Sequence, residues 1–225
     1  MEELQLILGY QFKNLGFLKQ ALIHTSYAHE NPDDEIKDNE RMEFLGDAVL
    51  DLIISKLSFD LFPDYKEGLL SVIRANHVNE NALSKIAFEL SLGRFIKLGK
   101  GEEKSLGYCK SSILSSTLEA IIGAIYLDGG FGAAYLFVAH NFEHLLIENK
   151  HKSSDYKSQL QVIVQNNHKK LPKYHLIKTY GPEHSKVFEV EVHVGNKIYP
   201  FASGNSRKEA EQKAAQIALT IEEFS

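Results

Sequence analysis

Residues 39–50, Asn-Glu-Arg-Met-Glu-Phe-Leu-Gly-Asp-Ala-Val-Leu, set acidic side chains into an apolar stretch, and this segment constrains the chain more than any other. As a helix, it places Glu43 and Asp47 four residues apart on one face, with Glu40 one turn earlier. Like charges stacked in this way repel, so the stripe either faces water or surrounds a divalent cation. Oxygen-only ligands favour a hard ion such as Mg²⁺. From the spacing alone, a solvated acidic edge on an ordinary amphipathic helix is an equally good explanation.

The composition is that of a soluble protein. The 225 residues are 44% hydrophobic and 24% charged, and they suffice for two small domains. No apolar run approaches the roughly 20 residues that span a bilayer, and the acidic start Met1-Glu2-Glu3 is unlike a secretory signal. We therefore expect a cytoplasmic protein with no membrane segment. The single cysteine, Cys109, excludes an internal disulfide.

The distribution of charge differs between the two parts of the chain. A formal net charge of −5 argues at first against nucleic acid as a ligand, because phosphate contacts come from Lys and Arg. Residues 1–153 hold 15 Lys+Arg against 22 Asp+Glu, whereas residues 154–225 hold 10 against 8. Charge by itself therefore neither supports nor excludes a nucleic-acid ligand.

The first part of the chain, residues 1–148, has helical periodicity throughout and predicts an all-α domain. Turn signals separate its apolar stretches, which lie at residues 15–22, 45–61, 69–92, 114–127 and 133–146. The polar residues 149–154 break the periodicity and predict a short linker.

The last part, residues 155–225, has a different pattern. Tyr156 to Gln165 is helical, whereas residues 174–180, 187–194 and 197–202 alternate as strands do, with a hairpin at Gly195-Asn196. Ser206, followed three residues later by Glu209, predicts a capping box at the start of a last helix. The predicted order is α-β-β-β-α, a small α+β domain.

These patterns together resemble a known family. Residues 39–50 are similar to the signature of the ribonuclease III family, endonucleases that cut double-stranded RNA, with Met42 as the one mild variant. Further similar segments follow in the family's order: His24-Thr25-Ser26-Tyr27, Glu67-Gly68-Leu69-Leu70-Ser71, residues 99–103 and residues 118–126. Residues 155–225 resemble a double-stranded RNA-binding domain. The resemblance implies an all-α endonuclease domain followed by that α+β domain.

The resemblance also implies the chemistry. Hydrolysis of a phosphodiester needs an activated water and stabilisation of the leaving oxygen, which carboxylate-held metal ions supply. Glu43, Asp47 and Glu119 are the expected ligands of Mg²⁺, for which Mn²⁺ can substitute, and Asp47 and Glu119 are the expected catalytic pair. Asp51, one turn beyond Asp47, is expected to cap or to pair with a neighbour. Gly99-x-Gly101 lacks the context of a phosphate loop, so we expect no nucleotide cofactor.

One residue departs from the family pattern in a position that bears on activity. The family has an aspartate three residues before the glutamate at 119, and here that residue is Ser116. A neutral hydroxyl is a weak ligand, so the site is expected to need more Mg²⁺ or to prefer Mn²⁺. The alternative is a double-stranded RNA-binding protein with weak or no cleavage.

The partners follow from the same resemblance. Phe44 resembles the family's aromatic knob that inserts into a second subunit, which implies a homodimer. The expected contacts to double-stranded RNA are Ser158, Gln161, Gln165, His184, Arg207 and Lys208. Glu211 is an acid where many such domains carry a lysine, so the RNA affinity is expected to be modest unless Lys213 compensates.

Overall fold

The computed structural model describes residues 1–32, 36–152, 156–182 and 185–223, and the chain divides into two compact units. One unit comprises Met1–Pro63 and Ile73–Ile147, and the other comprises Asp64–Val72 and Glu148–Ser225. Residues 64–72, which we predicted in the first domain, thus group with the second unit. The domain limits 1–148 and 155–225 remain a prediction.

The first part of the chain is helical, as predicted. Its helices are α1 (Glu2–Leu8), α2 (Leu15–Ala21), α3 (Thr25–Glu30), α4 (Glu40–Leu61), α5 (Glu67–His77), α6 (Glu80–Glu89), α7 (Lys100–Lys104) and α8 (Ser111–Lys152). The stretch 69–92, predicted as one helix, is two, because Asn79 caps α6 by accepting a hydrogen bond from the Ala82 N–H at 3.0 Å.

Helix α8 also differs from the prediction. The turn expected at Asp128-Gly129-Gly130 is only a kink, since Gly130 alone has a non-helical backbone (φ 75°, ψ −175°). Glycine adopts this conformation without steric cost. The helix continues through Lys152, so the first four residues of the predicted linker 149–154 are helical; residues 153 and 154 lie outside the described ranges.

The core of the first unit forms where α4 packs on α8. Fully buried residues come from both helices: Leu50, Ile53 and Ile54 from α4, and Leu118, Ile121, Ile122 and Ile125 from α8. By length and composition α8 meets the criteria for a membrane span between Ser111 and Ile147, criteria that the buried core helix of a soluble protein also meets. Its residues 120–122, 124 and 125 are instead fully buried in this core, which explains their apolar character.

The second unit packs two helices on an antiparallel sheet. Its elements are α9 (Tyr156–His168), β1 (Lys173–Tyr180), β2 (Val187–Val194), β3 (Lys197–Ile198), β4 (Ala202–Gly204) and α10 (Arg207–Glu223). The predicted third strand is divided into β3 and β4 around Pro200, which has no N–H to donate; both pieces pair with β2. Buried Val190 and Val192 of β2 belong to one core with Ala210 and Ala214 of α10.

The start of α10 is capped largely as predicted. The Ser206 hydroxyl accepts a hydrogen bond from the Glu209 N–H at 3.1 Å. The Glu209 carboxylate accepts from the Asn205 N–H at 2.8 Å, one residue earlier than a capping box requires. These two hydrogen bonds therefore hold the first turn of α10, which carries Arg207 and Lys208, in place.

Candidate active site and RNA-binding surface

The backbones of α4 and α8 touch, and two glycines allow this contact. A Cβ atom built on Gly46 would lie 1.8 Å from the Glu119 carbonyl oxygen, and one on Gly123 would lie 2.3 Å from the Met42 carbonyl oxygen. Real Cβ contacts essentially never fall below 3.0 Å, so no other residue fits at either position without moving a helix. The crossing brings the acidic residues that flank Gly46 next to the part of α8 that carries Glu119.

Ser116 is part of this arrangement. Its hydroxyl donates a hydrogen bond to Glu43 Oε1 at 2.9 Å and so links α8 to α4. The residue that departs from the family pattern therefore holds the Glu43 carboxylate in place. Relative to an aspartate, it removes one negative charge from the site and adds one hydrogen-bond donor.

The carboxylates of the site repel one another. Burial, and then the negative charges of Asp47, Glu43 and Asp51, raise the pKa of Glu119 to about 7. Partial burial, and then the charge of Asp51, raise the pKa of Asp47 above its usual value. The neighbouring charges make ionisation of Glu119 and Asp47 costlier, and a bound cation would reverse that effect.

Asp51 also belongs to this cluster, a role not expected from the sequence. Its Oδ1 atom is buried and has no hydrogen-bond partner among the described residues, so the expected pairing with a neighbour is wrong for this atom. A buried carboxylate oxygen without a donor is costly. The signal in the sequence was the spacing of four residues from Asp47, which puts both side chains on one face of α4.

The donor chemistry fits a hard divalent cation. Carboxylate oxygens are the ligands that such ions prefer, and the mutual repulsion and the unsatisfied Asp51 oxygen would both be relieved by one. Across the described ranges, no group of three or more His, Cys, Asp or Glu side chains is arranged so that it could hold a metal ion. The fit therefore rests on the chemistry and charge of Glu43, Asp47 and Glu119.

Phe44, the predicted dimer residue, lies on the surface of α4 beside these acids. Its side chain is 81% exposed, which is unusual for a large aromatic residue. A cavity of about 520 Å³ lies near the same end of α4, and apolar side chains, Phe17, Met42, Leu45 and Leu127, form part of its lining.

The expected RNA contacts on α9 and α10 lie on the surface of the second unit. Ser158, Gln161 and Gln165 are exposed and their spacing puts them on one face of α9. Arg207 and Lys208 are exposed in the first turn of α10, whereas His184 lies outside the described residues. A cavity of about 810 Å³ between these helices is lined by Ser158, Gln161 and Lys208, among others.

Comparison with known proteins gives concordant results for both parts of the chain. Residues 14–146 match a family model described as ribonuclease-III-like, and residues 156–221 match a double-stranded RNA binding motif. A protein named Ribonuclease 3 from Syntrophobacter fumaroxidans is 45% identical over 98% of this chain and 94% of its own length. Another Ribonuclease 3, from Borreliella burgdorferi, is 46% identical over 94% of this chain and 87% of its own.

A solved structure supports the same likeness for the helical part. The nuclease domain of ribonuclease III from Campylobacter jejuni, described for structural flexibility in its dimer-forming region, superposes with a TM-score of 0.58. The two are 44% identical, and the match covers 63% of this chain and 98% of that one.

Proposed function

The chain belongs to the ribonuclease III family and is an endoribonuclease of double-stranded RNA, and we propose that Glu43, Asp47 and Glu119 form its metal-holding catalytic site. The observation that carries this assignment is the crossing at Gly46 and Gly123, which brings carboxylates of both helices together. Burial, and then the charges of the neighbouring acids, raise the pKa of Glu119 to about 7. Enzymes of this family generally depend on a divalent metal. We propose Mg²⁺ as the natural ion, with Mn²⁺ able to replace it.

The bound ion and the residues of the site have different roles in the proposed reaction. A bound divalent cation supplies the charge that activates water and stabilises the leaving 3′-oxygen. Glu43 is held by the Ser116 hydroxyl, so its carboxylate is oriented before any ligand arrives. Burial around Glu119 keeps bulk water from screening its charge, which strengthens its hold on a cation. The proposed products carry a 5′-phosphate and a 3′-hydroxyl.

Neutral substitutions of the catalytic pair test this site. Asp47→Asn and Glu119→Gln are each expected to abolish cutting of duplex RNA in Mg²⁺ while leaving duplex binding intact. Glu143→Gln, the same chemical change at an exposed position farther along α8, serves as the control and should cut normally. Wild-type cutting by either site variant would show that the site is misassigned.

A second candidate function follows from Ser116. With one carboxylate fewer at the site, the chain could act by occupying duplex RNA with weak or no cleavage. The hydrogen bond from Ser116 to Glu43 favours a working site, because the serine orients a proposed ligand. The metal requirement of Ser116→Asp separates the two functions.

We propose a homodimer formed around Phe44. One chain holds one carboxylate cluster, whereas a cut through both strands needs two, and a two-fold axis supplies the second. The exposed Phe44 ring and the partly apolar cavity near it offer a knob and a socket on one self-complementary surface. Phe44→Ala should shift sedimentation from dimer to monomer, whereas Phe88→Ala, at another exposed phenylalanine on α6, should not. A wild-type monomer at micromolar concentration with full activity would contradict the dimer.

We propose that the second domain reads the shape of the RNA duplex. Polar residues of α9 (Ser158, Gln161, Gln165) reach 2′-hydroxyls in the minor groove, while Arg207 and Lys208 meet phosphates. His184 is a proposed RNA contact by resemblance alone. The proposed substrates are stems of ribosomal and messenger precursors in the cytoplasm. Equal binding of duplex DNA and duplex RNA of one sequence would contradict readout of the 2′-hydroxyl.

A further inference from the structure

Glu211 lies between two cations at the start of α10. Its carboxylate accepts a hydrogen bond from Lys157 Nζ of α9 at 2.5 Å and from Arg207 Nε at 2.9 Å. The Glu211 side chain is only 13% exposed, while that of Arg207 is 59% exposed. The acid is therefore placed beneath a surface cation that we assign to phosphate binding.

Glu211 is charged in the folded protein. Its partial burial would raise its pKa, but the hydrogen bonds from Lys157 and Arg207 outweigh burial and hold the pKa below the usual value. A carboxylate that stays ionised cancels most of the field of one neighbouring cation at the distance of a phosphate. The two cations and one acid thus present a net charge of +1 to RNA rather than +2.

Other cations do not restore the lost charge. Lys213, which we expected to compensate for Glu211, pairs with Glu209 at 2.8 Å. Lys157 is only 33% exposed and lies over the Tyr174 ring, with its Nζ 4.6 Å from the ring centroid. Among the described residues, Lys208 is the cation of this region with no acidic partner.

We infer that Glu211 limits the affinity of the second domain for double-stranded RNA by pairing with Arg207, which is the more exposed of its two cationic partners. The inference rests on the proposed contact between the start of α10 and phosphate. Because Glu211 uses Arg207 Nε, replacing the acid leaves the whole guanidinium able to bind phosphate. Phosphate contacts distinguish neither base sequence nor RNA from DNA to any large extent. By weakening one such contact, Glu211 increases the share of the binding free energy that comes from the 2′-hydroxyl contacts of α9.

The size of the effect follows from counterion release. One additional phosphate contact steepens the dependence of log Kobs on log salt by about 1 and tightens binding about fivefold at 0.15 M salt. We therefore expect Glu211→Gln in the full chain to bind a duplex RNA about fivefold more tightly, with a slope steeper by about one unit.

A matched control separates this contact from net charge. Glu189 of β2 alternates with the buried Val190 and so lies on the face of the sheet away from the helices. Glu189→Gln makes the same charge change and should alter RNA affinity less than about twofold, because salt screens charges beyond about 8 Å. In the Arg207→Gln background, Glu211→Gln should also add less than about twofold, because no guanidinium is left to release.

The experiment is a fluorescence-anisotropy titration of a labelled RNA duplex at several salt concentrations, with Ca²⁺ or no metal to prevent cutting. Lys208→Gln is included because it tests the underlying phosphate contact. Weaker RNA binding by this variant supports the contact. Unchanged binding by both Lys208→Gln and Arg207→Gln overturns the contact and the inference together. If Lys208→Gln weakens binding while Glu211→Gln leaves affinity and slope unchanged, the contact stands and the role of Glu211 is refuted. Glu211→Ala, compared by circular dichroism and thermal unfolding, replaces Glu211→Gln if that variant does not fold.

Discussion

Replacement of Gly46 by alanine is the most direct test of how the helix crossing builds the active site. The new methyl group would lie 1.8 Å from the Glu119 carbonyl oxygen, whereas ordinary contact begins at 3.4 Å, so the helices must separate by about 1.6 Å at this point. The obstacle is a backbone carbonyl group, which cannot rotate aside as a side chain can. Overpacking of this kind lowers the free energy of unfolding by about 1–3 kcal/mol. The better helix propensity of alanine offsets about 1 kcal/mol of that loss.

Activity should fall much further than stability. Displacement of reacting groups by about 1 Å costs roughly 100-fold in rate, and the enforced separation acts on the atoms that place Glu119 opposite Asp47. We expect Gly46→Ala to lower the free energy of unfolding by about 1 kcal/mol, the difference between the overpacking and helix-propensity effects, and the single-turnover cleavage rate by at least about 100-fold.

Urea unfolding and single-turnover cleavage of a short RNA duplex at saturating metal measure the two effects. Gly132→Ala is the control, since Gly132 lies on α8 with nothing within 4 Å of its built Cβ atom. This control should be as stable as wild type or slightly more so, and fully active. Wild-type stability and cleavage by Gly46→Ala would refute the argument from the close crossing.

Three further substitutions make separate points. Asp128 accepts hydrogen bonds from the Tyr10 hydroxyl and from the N–H groups of Lys13 and Asn14, which outweigh partial burial and hold its pKa below the usual value. The stabilisation by ionised Asp128 is therefore present above the unfolded pKa of about 3.9 and is lost as the pH falls through the folded pKa. Asp128→Asn should lower the free energy of unfolding, measured in urea at pH 7, by about 1 kcal/mol. This difference from wild type should vanish in acid. A difference that persists undiminished in acid would contradict this. Asn79→Ala should cost about 1 kcal/mol by loss of the α6 cap, whereas Asn81→Ala, inside the same helix, should be nearly neutral. Ser116→Ala removes the hydrogen bond to Glu43 and should raise the Mg²⁺ concentration needed for cleavage; an unchanged requirement would show that Ser116 does not position Glu43.

The sequence predicted the fold well where a local pattern determines it. The signature helix, the α10 cap and the β2 alternation are each encoded within a few residues. The errors came from effects that single residues exert against a longer pattern: Asn79 ends one apolar stretch, Pro200 interrupts a strand, and Gly130 kinks α8 without ending it. The helix at residues 149–152 shows that polar residues can extend a long helix.

The site was harder to predict in its contacts than in its residues. Glu43, Asp47 and Glu119 were proposed from a signature and remain a prediction as ligands, although the structure places acids of both helices at one crossing. The hydrogen bond from Ser116, the unsatisfied oxygen of Asp51 and the pairing of Glu211 with Lys157 depend on how distant segments meet. No periodicity in the sequence encodes such contacts.

The central claim is that this carboxylate site cuts double-stranded RNA with Ser116 in the place of an aspartate. The most direct test is the cleavage rate of one labelled RNA duplex, titrated with Mg²⁺ and with Mn²⁺, for wild type and Ser116→Asp. We predict that wild type cuts in both metals and faster in Mn²⁺, and that Ser116→Asp reaches half-maximal rate at a lower Mg²⁺ concentration. Wild type that binds the duplex but cuts in neither metal, together with cleavage restored by Ser116→Asp, would contradict the claim.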